Sequence, residues 1–135
     1  MSKSIVATSA LIYANGPLHL GHMLEGIQTD IWVRTQKSLG HDCLYISGSD
    51  AHGTPIMLGA QKKGMDPETM VSHYHQDHLK DFNAFGIVFD QFHSTHSPEN
   101  KALSESIFNK IQAEGDIATR DITQAFDPQE NMFLP

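Results

Sequence analysis

The sequence predicts an α/β fold built on a parallel, doubly wound (Rossmann-like) sheet of the nucleotide-binding type. Short apolar runs that suit buried strands alternate with longer segments whose apolar residues recur every three or four positions. A glycine-containing turn follows the first apolar run and leads directly into a helical pattern, and polar clusters follow the next two runs. Such alternation is typical of parallel sheets covered by helices, whose ligands bind beyond the carboxyl ends of the strands.

The predicted elements follow one another in the order β-α-β-α-α-β-α-β. The pattern places a strand at 4–11, a helix at 21–39, a strand at 43–47, a helix at 54–64, a helix at 66–86, a strand at 88–92, a helix at 97–115, and strand residues at 117–122 and 123–126. Three helices show apolar faces that we expect to point inward. These faces comprise Met23, Leu24, Ile27, Ile31 and Trp32; Val71, Tyr74, His78, Phe82 and Phe85; and Leu103, Ile107 and Ile111.

The helix boundaries carry recognisable signals. We expect Thr54 to cap the second helix before Pro55, and Asp66 to begin the third helix before Pro67. Glycine ends several helical patterns, Gly40 among them. These boundaries leave short loops at the carboxyl ends of the strands, where a ligand site is expected.

Composition narrows the class of protein. The chain has 135 residues, 39% hydrophobic and 19% charged, with a net charge of −7. This size suits about one domain, and the negative charge argues against an independent nucleic-acid-binding module. A single cysteine, Cys43, excludes an internal disulfide and is expected to be a buried strand thiol. No apolar run is long enough for a membrane span and no signal peptide is visible, so a cytoplasmic location is expected.

The turn at 15–22 is the most informative stretch. His19 and His22 flank Gly21 between the first strand and the first helix. A strand, a glycine-containing turn and a helix N-terminus together form a site for nucleotide phosphates. Two imidazoles on that turn can donate hydrogen bonds to phosphate oxygens and stabilise the charge that develops as pyrophosphate leaves ATP.

The other predicted strands end in chemically active residues as well. Asp50 and His52 follow the second strand, and His93 and His96 follow the third. Because the carboxyl ends of parallel strands meet at one edge, we expect one composite site. A carboxylate at Asp50 could pair with the α-ammonium group of an amino acid.

The chain resembles the methionyl-tRNA synthetases, a family of class I aminoacyl-tRNA synthetases with a His-x-Gly-His signature. Five blocks carry the resemblance: Ala10-Leu11, Tyr13 to Pro17, His19 to Glu25, Asp50 to Ile56, and His93 to Ser97. The resemblance implies catalytic roles and ATP contacts for His19 and His22. It further implies ATP contacts from Asn15, Gly16 and Gly21, methionine contacts from Ala10, Leu11, Tyr13 and Asp50, and supporting positions at His52, Gly53, Thr54, His93 and His96.

Two positions depart from the family pattern. Ile12 stands where the family usually has proline, which adds bulk beside the expected methionine pocket. Ser49 stands where close relatives commonly have an acidic residue. Both departures bear on substrate affinity rather than on the fold.

The resemblance also implies substrates and partners: methionine, ATP with Mg²⁺, and tRNA(Met), which the missing C-terminal parts would bind. Clustered histidines such as His73, His75 and His78 lack a completing ligand set, so no metal site is predicted, and the cysteines of a structural zinc site are absent. We expect residues 1–115 to form the first half of the catalytic domain and 116–135 to begin a connective insertion.

The sequence lacks the second class I signature, Lys-Met-Ser-Lys-Ser. We therefore expect these 135 residues to be inactive alone. Two other interpretations stay open. One is a small nucleotidyltransferase of the same superfamily. The other is a non-catalytic, truncated paralogue whose unpaired strand edge promotes self-association.

Overall fold

The structure, a computed structural model, describes residues 2–129, 132 and 133, which belong to two compact units, Met1–Ser97 and Pro98–Pro135. The first unit contains β1 (Ser4–Thr8), β2 (Ile12–Tyr13), α1 (Leu20–Ser38), β3 (Asp42–Asp50), α2 (Thr54–Lys63), α3 (Pro67–Ala84) and β4 (Gln91–Ser94). The second contains α4 (Pro98–Ala113), β5 (Phe126–Asp127) and β6 (Met132–Phe133). The functional division at residue 115 stays a prediction, and residues 130, 131, 134 and 135 of the expected insertion lie outside the described residues.

The sheet of the first unit is parallel throughout, with β3 at its centre. β1 and β2 pair with the amino and carboxyl ends of β3, and β4 pairs with its middle, from Ile46 to Ser49. The expected order of strand and helix is thereby confirmed for this unit. The carboxyl ends of β2, β3 and β4 share one edge, as a ligand site requires.

The predicted first strand is interrupted by a one-residue bulge. Thr8 pairs with Ile46 and Ile12 pairs with Ser49, so residues 9–11 face only two residues of β3. The amide of Ala10 leaves the ladder and donates to Oε1 of Glu25 on α1, 2.7 Å away. As a result, both Ala7 and Ile12 reach the hydrophobic core.

Two hydrophobic clusters stabilise the first unit. The larger packs α1 and α3 on one face of the sheet and contains Ala7, Ile12, Met23, Val33, Cys43, Tyr45, Phe82 and Ile87. The smaller joins the strand ends to α2 and the start of α3 through Ala14, Ala51, Ile56, Ala60, Met70 and Val71. Cys43 is buried, as the sequence predicts.

The inward face of α1 differs from the predicted one. Leu24, Ile31 and Trp32 are exposed, whereas Gly26 and Asp30 are buried beside Met23 and Val33. Gly26 is buried because the ring of Phe82 packs directly against it, 2.9 Å from where a Cβ would stand. Asp30 is satisfied by Arg34 Nε at 2.6 Å and by the amide of Val88 at 3.3 Å.

Of the two predicted helix caps, one is confirmed and one is wrong. Asp66 caps α3 by accepting from the amide of Thr69 at 3.0 Å, as expected. Thr54 does not cap α2: the N-cap is Gly53, with a φ of 115° and no side-chain cap, and Thr54 lies in the first turn. Glycine is favoured there because other residues are strained at this φ, and a Cβ would also stand 2.7 Å from the hydroxyl of Tyr13.

Two predictions about the second unit are wrong. Residues 117–122 form no strand, and Ile122 is 70% exposed. The predicted inward residues of α4, Leu103, Ile107 and Ile111, are exposed, so their helical spacing does not correspond to burial within the described residues. The residues predicted at 123–126 overlap β5 only at Phe126, where β5 pairs antiparallel with β6. Among the described residues, none of the helices is long and apolar enough to cross a membrane.

Candidate functional site

The turn before α1 is closed by two histidines that cap the helix reciprocally. His19 is the N-cap, and its Nδ1 accepts from the amides of Gly21 at 3.1 Å and His22 at 3.4 Å. In return, Nδ1 of His22 accepts from the amide of His19 at 3.3 Å. The two rings stack with centroids 3.6 Å apart and planes 15° apart. Histidines here fill the positions that Ser or Thr and Glu take in an ordinary capping box.

This capping fixes the tautomer of both rings. A ring nitrogen that accepts a hydrogen bond carries no proton, so each neutral imidazole holds its proton on Nε2. The two Nε2–H groups are therefore donors, held side by side at the N-terminus of α1. Helix N-termini favour anions because their amides and macrodipole present positive charge. The arrangement is suited to a phosphate group.

Burial lowers the pKa of His22 below its usual value of 6.5, and the neighbouring His19 and His78 lower it further, while Glu25 opposes them. Protonation would also place a hydrogen on Nδ1 and break the bond that it accepts from His19. The neutral ring is therefore the folded form at neutral pH.

We expect His22 to titrate below pH 6.5 in a proton NMR titration of its ring, because its folded pKa is depressed. A depressed pKa contributes stability above pH 6.5 that is lost as the pH falls through the folded-state pKa. Glu25→Gln should move the midpoint lower still, since it removes the carboxylate that raises the pKa. A midpoint at or above 6.5 would contradict this assignment.

A third histidine supports the turn from behind. His78 of α3 is completely buried, and its Nε2 lies 2.8 Å from the carbonyl oxygen of Gly16. Gly16 is half-buried and Asn15 exposed in the same turn. Sequence reasoning placed His78 on the apolar face of α3 but gave it no role at the site. The signal was available: a lone histidine on an apolar stripe needs a hydrogen-bond partner.

Asp50 ends β3 beside the turn. It is half-buried, it pairs in register with Tyr13, and its carbonyl accepts from the amide of Ala14 at 2.9 Å. The preceding residue, Ser49, is completely buried, and its Oγ lies 2.9 Å from Nδ1 of His75. The sequence marked Ser49 as a departure from the family pattern but did not identify its partner.

Beyond the bulge, two of the predicted methionine-contacting residues lie on the side of the strand that faces away from the core. Leu11 and Tyr13 are 51% and 40% exposed, on the side of the strand opposite Ile12, which is 7% exposed. A small cavity of about 30 Å³ is bordered by Ala10, Leu11, Ile12 and His22, among others. The structure thus brings part of the predicted methionine set next to one of the two signature histidines.

Three of the remaining predicted residues, His52, Gly53 and His96, border a second cavity. Nε2 of His52 lies 3.2 Å from Nδ1 of His96, and Nε2 of His96 lies 3.6 Å from a carboxylate oxygen of Glu68. With Gly53, these residues border a cavity of about 210 Å³ whose apolar wall includes Val71. The structure does not bring Thr54 or His93 to either cavity: Thr54 lies in the first turn of α2, and His93 is exposed on β4.

The histidine-rich helix α3 does not form a metal centre in the part of the chain that the structure describes, since no group of three or more His, Cys, Asp or Glu side chains is suitably placed. His73 instead pairs with Asp77, with 3.3 Å between Nε2 and the nearer carboxylate oxygen. The other two histidines of this helix, His75 and His78, serve the strand end and the turn.

Comparison with known proteins identifies relatives of the whole chain. The family model described as tRNA synthetases class I (M) matches residues 5–135. The methionine–tRNA ligase of Acidithiobacillus ferrooxidans is 56% identical over all 135 residues, which are 20% of its own length. The chain therefore spans about a fifth of the curated relatives that it matches.

Solved structures confirm the Rossmann-like fold. The Mycobacterium tuberculosis methionyl-tRNA synthetase in complex with methionyl-adenylate aligns with a TM-score of 0.86 and 25% identity, over 99% of this chain and 26% of that one. The Agrobacterium radiobacter K84 agnB2 LeuRS, in a ternary complex with tRNA and LeuAMS, aligns with a TM-score of 0.87 and 24% identity, over 98% of this chain and 17% of that one. The second likeness concerns the fold alone.

Proposed function

We propose that this chain supplies the first half of the site where a methionine–tRNA ligase activates methionine. The premise is that the chain belongs to the tRNA synthetase class I (M) family and corresponds to the N-terminal part of its catalytic domain. The observation that supports this most directly is the pair of stacked histidines whose Nδ1 atoms cap α1. Their Nε2–H groups are left as donors for the phosphates of ATP.

The proposed reaction is an in-line displacement at phosphorus. The methionine carboxylate attacks the α-phosphorus of ATP, which forms methionyl-adenylate and releases pyrophosphate; the methionyl group then passes to the 3′ end of tRNA(Met). Such chemistry needs positioning and charge stabilisation rather than a protein nucleophile. The Nε2–H donors of His19 and His22 stabilise the negative charge that builds up on the phosphates, and the N-terminus of α1 adds its dipole.

Substrate binding is assigned to the neighbouring strand ends. Gly16 and Gly21, with Asn15, shape the phosphate turn, where backbone must approach the nucleotide closely. Leu11 and Tyr13 present exposed apolar surface for the methionine thioether, with Ala10 beside them. The carboxylate of Asp50 pairs with the methionine α-ammonium. His52, Gly53, Thr54, His93 and His96 support these contacts from the adjoining loops and strand.

Other partners are assigned by chemistry. Mg²⁺ arrives with ATP, since phosphate oxygens and water are its preferred ligands. A net charge of −7 leaves this part of the protein poorly suited to bind tRNA, so the tRNA contacts are assigned to other parts of the polypeptide.

The proposed function is tested by methionine-dependent ATP–pyrophosphate exchange with the intact polypeptide that contains this chain. Asp50→Asn is expected to raise the KM for methionine by about 10- to 100-fold, because it removes a charge-assisted hydrogen bond to the ammonium. The KM for ATP should change by less than about threefold, since Asp50 does not contact the phosphates in this assignment.

Asp42→Asn is the matched control, because Asp42 is exposed at the opposite end of the same strand. An unchanged KM for methionine in Asp50→Asn would remove Asp50 from the binding site. Absence of exchange in the unmodified polypeptide would refute the function itself.

A further inference from the structure

Helix α3 contacts both halves of the candidate site through two histidines. His75 and His78 are three residues apart, so both project toward the sheet from neighbouring turns of one helix face. Each makes one hydrogen bond to a segment distant in sequence: His78 to Gly16, 62 residues away, and His75 to Ser49, 26 residues away. Gly16 belongs to the phosphate turn, and Ser49 immediately precedes Asp50.

The bond from His78 has a defined direction. A carbonyl oxygen can only accept, so Nε2 of His78 carries the proton and donates to Gly16 at 2.8 Å. Its other ring nitrogen, Nδ1, is buried without a hydrogen-bond partner among the described residues. A buried, unpartnered nitrogen is costly, and methionine or leucine would fill this apolar position without that cost. Proteins keep a buried polar group without a hydrogen-bond partner mainly where a functional site needs that group.

The bond from His75 acts on the strand end. Ser49 is completely buried, so its hydroxyl needs a partner, and the imidazole of His75 provides one at 2.9 Å. Burial lowers the pKa of His75, with the neighbouring His93 and His78 acting in the same direction, so the ring is neutral at neutral pH. The ring also contacts that of Phe92, with centroids 5.3 Å apart and planes tilted by 34°, which restricts its movement.

We propose that His78 and His75 are positioning residues: α3 holds the phosphate turn through His78 and the Asp50 strand end through His75, and so sets the spacing between the two substrate-binding groups. The proposal rests on the proposed function. Neither histidine touches substrate. His78 places the turn that carries the Nε2–H donors, and His75 places the main chain from which the Asp50 carboxylate projects.

The two contacts predict separable kinetic defects. Misplacement of the phosphate turn affects the chemical step, where errors on the order of 1 Å cost about 100-fold. Misplacement of Asp50 weakens binding of the ammonium group and appears in the KM for methionine. A purely structural role would lower stability in both cases without dividing the kinetic effects between the two substrates.

The experiment uses ATP–pyrophosphate exchange by the intact polypeptide, with thermal unfolding of each variant recorded in parallel. His78→Met removes the donor at similar size, and His78→Gln restores an N–H near the position of Nε2. We expect His78→Met to lower kcat by about 10- to 100-fold, with the KM for methionine changed less than about twofold. His78→Gln should recover most of the loss.

Ser49→Ala removes the hydroxyl that His75 binds and leaves the ring in place. We expect it to raise the KM for methionine by about two- to tenfold, with little change in kcat. His73→Gln is the matched control, since His73 lies on the same helix with its side chain 56% exposed, and it should match the unmodified protein. Should His78→Met fail to fold, His78→Asn replaces it, because its amide is too short to reach Gly16.

The outcomes are distinct. A kcat defect in His78→Met that His78→Gln recovers, together with a methionine KM defect in Ser49→Ala, supports the proposal. Reduced stability with unchanged kinetic constants overturns it, as do equal defects in His78→Met and His78→Gln. No exchange by the unmodified polypeptide refutes the proposed function before any variant is compared.

Discussion

Replacement of His19 by asparagine is expected to slow methionine-dependent ATP–pyrophosphate exchange by about 10²- to 10³-fold, which is the usual cost of losing one donor that stabilises developing charge. The change separates two roles of one side chain. Nδ1 of His19 caps α1, whereas Nε2–H is the proposed donor to phosphate. Asparagine is among the best N-cap residues, so its oxygen can replace Nδ1, but its side chain ends short of the position of Nε2.

A comparison with His19→Ala shows which role matters for activity. Alanine removes both the cap and the donor, so it should lose the same activity and about 1 kcal/mol of stability as well. Urea unfolding and exchange rates measured on both variants provide the comparison. Near-normal exchange by His19→Asn would show that capping alone explains this histidine, and the phosphate role would have to be abandoned.

The second large effect concerns stability. Gly48→Ala is expected to destabilise the protein by about 3 kcal/mol, because overpacking a close-packed sheet forces backbone to move. Gly48 pairs with His93 across β3 and β4, and a Cβ there would overlap the carbonyl oxygen of His93 and stand 3.0 Å from its carbonyl carbon. Both atoms belong to the main chain, so no side-chain rotation can relieve the overlap.

Gly59→Ala provides the matched control for this measurement. Gly59 lies inside α2, where a Cβ would meet only the flexible end of Met70, 3.5 Å away. Alanine should therefore stabilise the helix there by about 0.5–1 kcal/mol. The two variants should move the urea midpoint in opposite directions. Equal midpoints would mean that the sheet tolerates a methyl group at Gly48.

The sequence was sufficient for the fold class and for the edge of the sheet where the candidate residues lie. Alternating apolar runs and helical patterns predicted a parallel sheet, and residues after each strand indicated the carboxyl edge. The position of His19 and His22 at the start of α1 also followed from the pattern. These features depend on local spacing, which a single sequence displays directly.

The burial of α1 could not be predicted in the same way. Its inward face includes Gly26 and Asp30, which hydrophobicity does not identify, while Leu24, Ile31 and Trp32 are exposed. Gly26 is buried because Phe82, 56 positions later, occupies the space beside it. A partner so distant leaves no trace in local periodicity.

The two histidines of α3 that contact the candidate site could not be identified from the sequence for a similar reason. His75 and His78 act on Ser49 and Gly16 through contacts that exist only after α3 packs on the sheet. The pattern showed a histidine on an apolar stripe, but the stripe gave no information about which carbonyl or hydroxyl would meet it. Buried hydrogen bonds between remote segments are a property of the tertiary structure.

The bulge at residues 9–11 makes chain length, as well as residue identity, a determinant of the pocket. Paired residues on neighbouring strands point to the same side of the sheet, so Ile12 faces the core because it pairs with Ser49. Removal of one residue from this segment would leave two residues opposite two, which abolishes the bulge while Ile12 keeps its partner. The core should therefore tolerate such a deletion, and its effect should fall on the cavity that Ala10 and Leu11 border.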